Sequence, residues 1–177
     1  RLYDGVEAQR NFSTWCREAS PLLLVMSEGT EALAGALEFE LAAARRACET
    51  RGGEILGEAP LEKWLKHRNQ VPSWPDLLAA GLVVDTIEVS ATWDRIEPLL
   101  ERVTEAIGRI PGIAAASGHT SHAYTTGVNI YFTFIGEAKE LAEQQRIYSA
   151  AWAAAMEATI ACGGSIAHHH GIGRIRR

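Results

Sequence analysis

The amino-acid sequence predicts an α+β domain, a ferredoxin-like antiparallel sheet with helices packed on one face. Three features carry this expectation. Residues 82–90 are β-branched and alternate apolar with polar side chains, as a half-buried strand does. Segments 114–124 and 128–135 are strand-like and separated only by Thr125-Thr126-Gly127, short enough for a hairpin. A helical stripe follows residues 82–90 and another follows the hairpin, so the pattern is strand–helix–strand twice over.

In chain order, the apolar run 21–26, closed by Gly29, reads as a short buried strand. Thr30 is an N-cap candidate for a helix reaching about Thr50, with Leu33, Leu37, Leu41 and Ala44 on one side; Arg51-Gly-Gly ends it. Residues 54–57 read as a second short strand. Pro60 suits the first turn of a short helix carrying Leu61, Trp64 and Leu65, which breaks before Pro72 and Pro75. After the strand 82–90, Thr92 opens a helix striped by Ile96, Leu99, Leu100, Val103 and Ile107 and stopped by Pro111-Gly112. An Ala-rich helix over about 139–161 ends at Gly163-Gly164, and a loop then carries His168-His169-His170.

Composition narrows the function. The chain has 177 residues, 47% hydrophobic and 22% charged, with a formal net charge of -5. That is enough to bury a core and too apolar for a disordered chain. A mildly acidic balance argues against a nucleic-acid partner. No apolar run approaches the roughly 20 residues that span a bilayer. Cys16, Cys48 and Cys162 are odd in number and form no Cys-x-x-Cys, so neither a disulfide framework nor a cysteine metal site is expected, which suits a reducing cytosol. The chain opens at Arg1-Leu-Tyr-Asp without an initiator Met or signal peptide, and reads as an excised piece of a larger polypeptide.

Period-two alternation divides the last strand into two faces. Ile130, Phe132 and Phe134 should lie under the helices, leaving Asn129, Tyr131 and Thr133 on the polar side. Its hairpin partner carries His119 and His122, and which of them meets Tyr131 depends on a register the sequence leaves open. Arg68, near the end of the short helix, reads equally as a helix C-terminal cation or as a guanidinium fork for phosphate or carboxylate.

His168-His169-His170-Gly-Ile-Gly is the feature that composition does not explain. Three histidines followed by an ordered-looking Gly-Ile-Gly do not make an affinity tag. No metal is expected, because consecutive residues in an extended segment point alternately and no carboxylate partner is defined. A plain surface loop is disfavoured by the two glycines, which permit close approach of backbone to a flat ligand. The spacing is not that of a dinucleotide-binding glycine fingerprint.

Ser165-Ile-Ala-His-His-His-Gly-Ile-Gly-Arg-Ile-Arg resembles the active-site loop of the alkyl-dihydroxyacetone-phosphate synthases, vanillyl-alcohol-oxidase-type flavoproteins of ether-lipid synthesis. The segments His119-Thr-Ser-His-Ala-Tyr, Gly127-Val-Asn-Ile-Tyr-Phe-Thr-Phe and Gly81-Leu-Val-Val-Asp-Thr-Ile-Glu are also similar to that family. The resemblance implies that residues 1–177 form the C-terminal substrate, or cap, domain of an FAD-linked oxidase. It also implies an N-terminal FAD-binding domain outside this chain and FAD as cofactor. The reaction implied exchanges an acyl for an alkyl group without net redox. It places Tyr131 as proton donor and acceptor, its phenol made basic by cationic or imidazole neighbours that lower its pKa, with His168, His169 and His170 in the essential loop. Arg68 becomes the contact to a small-molecule or lipid phosphate. Peripheral membrane contact, a homodimer and a cytoplasmic, membrane-associated location are further expectations, although no basic amphipathic helix supports the membrane contact. Asn69-Gln70-Val71-Pro72-Ser73-Trp74 departs from the family pattern after Arg68 and weakens the substrate assignment. The alternative is an FAD-dependent dehydrogenase of 2-hydroxy acids, which usually keeps a glutamate where this chain has His169. A non-catalytic ferredoxin-like binding module is the third reading.

Overall fold

A computed structural model describes residues 1–70 and 72–176. In order, the elements are β1 (Leu2–Tyr3), α1 (Gly5–Phe12), β2 (Leu22–Leu23), α2 (Ala34–Glu49), α3 (Ala59–His67) and α4 (Trp74–Ala79). They continue with β3 (Leu82–Thr92), α5 (Ile96–Gly108), β4 (Ile113–Ala123), β5 (Gly127–Glu137) and α6 (Leu141–Ala161). One antiparallel sheet has the order β2-β1-β4-β5-β3.

The expected pair of strand–helix–strand halves is present. The first is β3–α5–β4. The second runs β5–α6 and returns beside β3, but its last strand is reduced to a single antiparallel bridge between Ser90 and Ser165. The hydrogen bonds Ser90 N to Ser165 O (3.0 Å) and Ser165 N to Ser90 O (2.7 Å) hold it there. The triple histidine therefore leaves the sheet where a fourth ferredoxin strand would have continued.

Alternation decides which face the helices cover. Val83, Ile87 and Val89 of β3 and Ile130, Phe132 and Phe134 of β5 are buried against Leu99, Val103 and Ile107 of α5 and Ile147, Ala151 and Ala155 of α6. Each of the larger side chains contributes about 1.5–3 kcal/mol by leaving water. Gly127 opens β5 where a Cβ would overlap the Ala91 carbonyl, so the hairpin needs glycine there.

The N-terminal third departs furthest from expectation. Residues 54–57 are irregular rather than a strand, with Gly57 at φ 77°. The run 21–26 pairs with β1 through Leu22 and Leu23, and Leu24 exchanges two further backbone hydrogen bonds with Arg1. Thr30 precedes a 3-10 turn (Glu31–Leu33) without a side-chain cap, and α2 buries no residue. Its apolar stripe is covered only in part: Leu37 is half-buried beside Gly29, while Leu33 and Leu41 are exposed. The break expected before Pro72 includes Val71, which lies outside the described residues. Three elements were not expected: β1, α1 and α4. For α1 a signal existed, since Asp4 Oδ1 accepts from Glu7 N at 2.8 Å as an N-cap. This end forms a second small core of Tyr3, Ala8, Phe12, Cys16, Leu22 and Leu24. It is fastened to β4 by Asp4 N donating to Gly118 O at 2.9 Å.

A histidine-rich candidate active site

The face of the sheet opposite α5 and α6 carries an ordered row, its β1–β4 end covered by α1. Tyr3 pairs with His119, His119 with Tyr131, and Tyr131 with Glu88, across β1, β4, β5 and β3. Asn129 and Thr133 share this face with Tyr131, as alternation requires. The register question is thereby answered for His119, whose ring stacks on Tyr131 with centroids 5.4 Å apart.

His122 nevertheless reaches the same site. It lies three positions after His119, so in a regular strand the two would point to opposite faces. The register steps between Thr120 and Ala123, a bulge that inserts one residue into β4 and reverses the alternation. The amide of His122 donates to Asn129 Oδ1 at 2.7 Å and that of Ser121 does so at 3.3 Å. The His122 ring stands 5.4 Å from that of His169 and 5.9 Å from that of His168.

Glu88 is the residue the sequence reading missed. Its only local signal was a carboxylate set between the apolar Ile87 and Val89 of a strand. The side chain is wholly buried, yet all three loop histidines turn their Nδ1 atoms toward it. Oε1 lies 3.2 Å from His168 Nδ1 and 2.9 Å from His169 Nδ1, and Oε2 lies 3.6 Å from His170 Nδ1. Asn129 Nδ2 donates to Oε1 at 2.9 Å, and the His169 amide donates to Oε2 at 3.4 Å. Arg176 Nη1 donates to the Glu88 carbonyl at 2.9 Å and to that of Ile166 at 2.5 Å, pinning the end of the loop. Burial alone would push the Glu88 carboxyl up. The Asn129 hydrogen bond, the His170 charge and the bonds from His169 and His168 together outweigh burial and hold it below the usual range.

Consecutive histidines were expected to point alternately. Residues 168–170 form successive bends instead of an extended strand, which is why three neighbours can face one carboxylate. Glu88 Oε1 and the Nδ1 atoms of His168 and His169 have a spacing that a cation would also accept. Both premises of the argument against a metal, alternation and a missing carboxylate, are thus replaced by this geometry.

A second carboxylate, Glu7 of α1, was also missed. It is buried, accepts from Ser117 Oγ at 3.3 Å, and brings Oε1 to 3.0 Å from His119 Nδ1. That approach lies off the line needed for a hydrogen bond, so it is a charge contact.

Tyr131 is half-buried, with its ring 5.8 Å from that of His170. Burial and the Glu88 charge push its hydroxyl above the ordinary tyrosine range, against smaller pulls from Asn129 and Arg1. The expectation of a phenol made basic by its neighbours is corrected here: burial and the Glu88 carboxylate make the neutral phenol the favoured form.

Arg68 does not join this cluster. It is exposed at the end of α3, with its guanidinium 4.9 Å from the Trp64 ring centroid. Arg1 lies over the same ring at 5.4 Å and donates to Ser121 Oγ at 3.3 Å. Arg68 thus sits on the rim, separated from the row by Trp64 and Arg1. The apolar groove between Trp74, Leu78, Leu141 and Tyr148 is lined by none of these residues.

The cluster suits a flat redox cofactor in one respect. The side chains of His168, His169 and His170 are 22%, 48% and 43% exposed on the face that α5 and α6 leave free. Their rings can therefore meet a planar group from outside. No helix described here is long and apolar enough to cross a membrane.

Comparison with known proteins gives the lineage. The chain is 28% identical over 191 residues to "Uncharacterized FAD-linked oxidoreductase YgcU" of Escherichia coli K12, covering 99% of this chain and 38% of that protein. It is 30% identical over 168 residues to the alkyldihydroxyacetonephosphate synthase of Trypanosoma brucei brucei, covering 90% of this chain and 26% of the synthase. A shorter match, 33% over 103 residues, links it to the synthase of Caenorhabditis elegans, across 55% of this chain and 17% of that one. The chain thus spans less than two fifths of the length of these relatives. A solved structure of an alkyldihydroxyacetonephosphate synthase superposes with a TM-score of 0.60 at 20% identity, over 94% of this chain and 35% of that one, and shares its fold. Residues 2–177 match the family model of "FAD linked oxidases, C-terminal domain". FAD is the cofactor that this family implies. By fold, sequence and the extent of that match, the chain belongs to the C-terminal domains of the FAD-linked oxidases.

Proposed function

We propose that this chain is the substrate domain of an FAD-dependent enzyme resembling alkyl-dihydroxyacetone-phosphate synthase, which replaces an acyl by an alkyl group on a phosphorylated three-carbon substrate. An FAD-binding domain N-terminal to it completes the enzyme. The observation that carries the reading is the meeting of the Tyr131 phenol with three consecutive imidazoles around one buried carboxylate.

When bound, FAD supplies the ring system that activates the substrate carbon. The residues of this chain do the rest. Tyr131 holds a proton on its hydroxyl and hands it over as a general acid, the role its raised pKa favours. An imidazole next to it accepts the substrate proton, since histidine changes charge near neutral pH. The remaining loop imidazoles donate to the departing carboxylate. Arg68 supplies a planar fork for the phosphate, a remote anchor that holds the reacting carbon in place.

A second reading rests on the long match to an FAD-linked oxidoreductase: a 2-hydroxy acid dehydrogenase. The polypeptide carrying its FAD-binding domain separates the two. Incubated with labelled fatty alcohol and the acyl substrate, it yields a labelled ether product if the first reading holds. Anaerobic bleaching of the flavin by lactate, glycolate or 2-hydroxyglutarate, without ether product, supports the second and removes the first.

A further inference from the structure

We propose that Glu88, His168 and His169 form a binding site for one divalent cation of the zinc class, assembled between β3 and the C-terminal loop. The site goes beyond the reaction proposed above and stands without it.

The donor set comes first. Two imidazole nitrogens and a carboxylate oxygen suit zinc and its first-row neighbours, whereas magnesium and calcium call for oxygen ligands. His168 Nδ1 lies 2.8 Å from His169 Nδ1, and Glu88 Oε1 lies 2.9 Å from the latter and 3.2 Å from the former. Neighbouring ligands stand roughly 3 Å apart around an ion that binds each of them at about 2.0–2.2 Å. A triangle with these edges therefore seats such an ion, with its other positions left to water.

Hydrogen bonds alone do not account for the triangle. His168 Nδ1 meets Oε1 in hydrogen-bond geometry. The nearer approach, His169 Nδ1 to Oε1, lies off the line a hydrogen bond needs and is a proximity of two polar atoms. Two neutral rings bring at most two hydrogens to three edges. One cation faces all three lone pairs at once, and takes the place of the hydrogen between His168 and the carboxylate.

Burial and support come second. Glu88 is wholly buried while the loop rings are partly exposed, so an ion finds a fixed anionic floor and a way in. Asn129 Nδ2 donates to Oε1 at 2.9 Å and the His169 amide to Oε2 at 3.4 Å, the outer contacts that keep a metal-binding carboxylate in place. Glu88 stands 80 positions before His168, so the fold builds this site and a bare run of histidines would not. His170 stays outside the triangle, with Nδ1 3.6 Å from Oε2 and its ring 5.8 Å from that of Tyr131. A ring bound through Nδ1 keeps its hydrogen on Nε2. If the reaction proposed above holds, the ion thus makes donors of His168 and His169 and leaves His170 to accept a proton beside Tyr131.

Cobalt(II), whose visible absorption reports its ligands, tests the site in the chain stripped of metal by a chelator, and competition with zinc gives the affinity. The expected result is one cobalt per chain, displaced by one zinc. Glu88→Gln should weaken zinc binding about a hundredfold or more, beyond the usual cost of losing an outer contact. His168→Ala and His169→Ala should do the same, whereas His170→Ala should leave the affinity nearly unchanged. Three histidines acting as an adventitious chelating run would lose affinity alike at 168, 169 and 170, and that outcome overturns the inference. So does zinc binding that survives Glu88→Gln intact, or a wild-type chain without saturable binding. If Glu88→Gln does not fold, the histidine series alone decides. Saturable binding by this triad in a chain whose parent makes no ether product would keep the site and remove the proposed reaction.

Discussion

His119 lies against Tyr131 with ring centroids 5.4 Å apart and planes inclined by only 17°. The two are directly opposed on neighbouring strands, so the backbone register itself makes the contact. On the outer side of His119 stands Glu7, and on the far side of Tyr131 stands Glu88 with its three imidazoles. The phenol is therefore bracketed by two buried acids, each neighboured by histidine. Burial and the Glu88 charge favour the uncharged phenol.

Removing the hydroxyl should expose that role. Tyr131→Phe keeps the ring that stacks on His119 and so should leave unfolding unchanged within about 0.5 kcal/mol. In the full flavoprotein, kcat should fall about 100- to 10,000-fold, the usual worth of a positioned proton donor. Steady-state turnover alongside urea unfolding checks both halves, and undiminished turnover would remove Tyr131 from the mechanism.

Glu7 offers a test of the second acid. Glu7→Ala deprives the buried Ser117 hydroxyl of its acceptor and His119 of its neighbouring charge. The expected loss is about 1–3 kcal/mol in urea unfolding. An unchanged midpoint would show that α1 does not fasten His119 in solution.

Gly127 tests the hairpin that carries the row. A methyl there would run into the Ala91 carbonyl across the sheet. Gly127→Ala should therefore destabilise the domain by about 3 kcal/mol, as overpacking against backbone does. Thermal unfolding reads this directly. A variant as stable as wild type would mean that the β3–β5 edge relaxes freely.

Tyr148 gives a pH signature on the opposite face. Its hydroxyl donates to Asp85 Oδ2 at 2.8 Å, and burial, that hydrogen bond and the Asp85 charge push it up to about 12. A raised folded pKa means that the native state keeps a proton which the unfolded chain has lost. The associated stability is fully present below pH ~10, where an unfolded tyrosine titrates, and is lost as pH rises toward 12. Ultraviolet titration should show one late tyrosinate, absent in Tyr148→Phe, whose alkaline loss of stability should be shallower.

The C-terminal two thirds of the fold were legible because their elements are written in local patterns. Alternation placed Tyr131 and Asn129 on the polar face and Phe132 and Phe134 in the core. The stripe of α5 and the glycines after α6 set the remaining boundaries. The N-terminal third was harder because β1 and β2 are two residues long and owe their form to β4 and to each other. A two-residue strand has no period to read.

The amino-acid sequence by itself determined the chemistry available: a phenol, a run of imidazoles and the alternation that turns the phenol away from the helices. Only the tertiary structure decided what those groups do to one another. Strand pairing set Glu88 opposite Tyr131, a one-residue bulge swung His122 onto the same face, and bends at 168–170 aimed three rings at one carboxylate. Each of these depends on backbone hydrogen bonds between segments 40 or more positions apart, or on a register step. A linear pattern specifies neither, because side-chain period is local whereas pairing is chosen by the whole sheet.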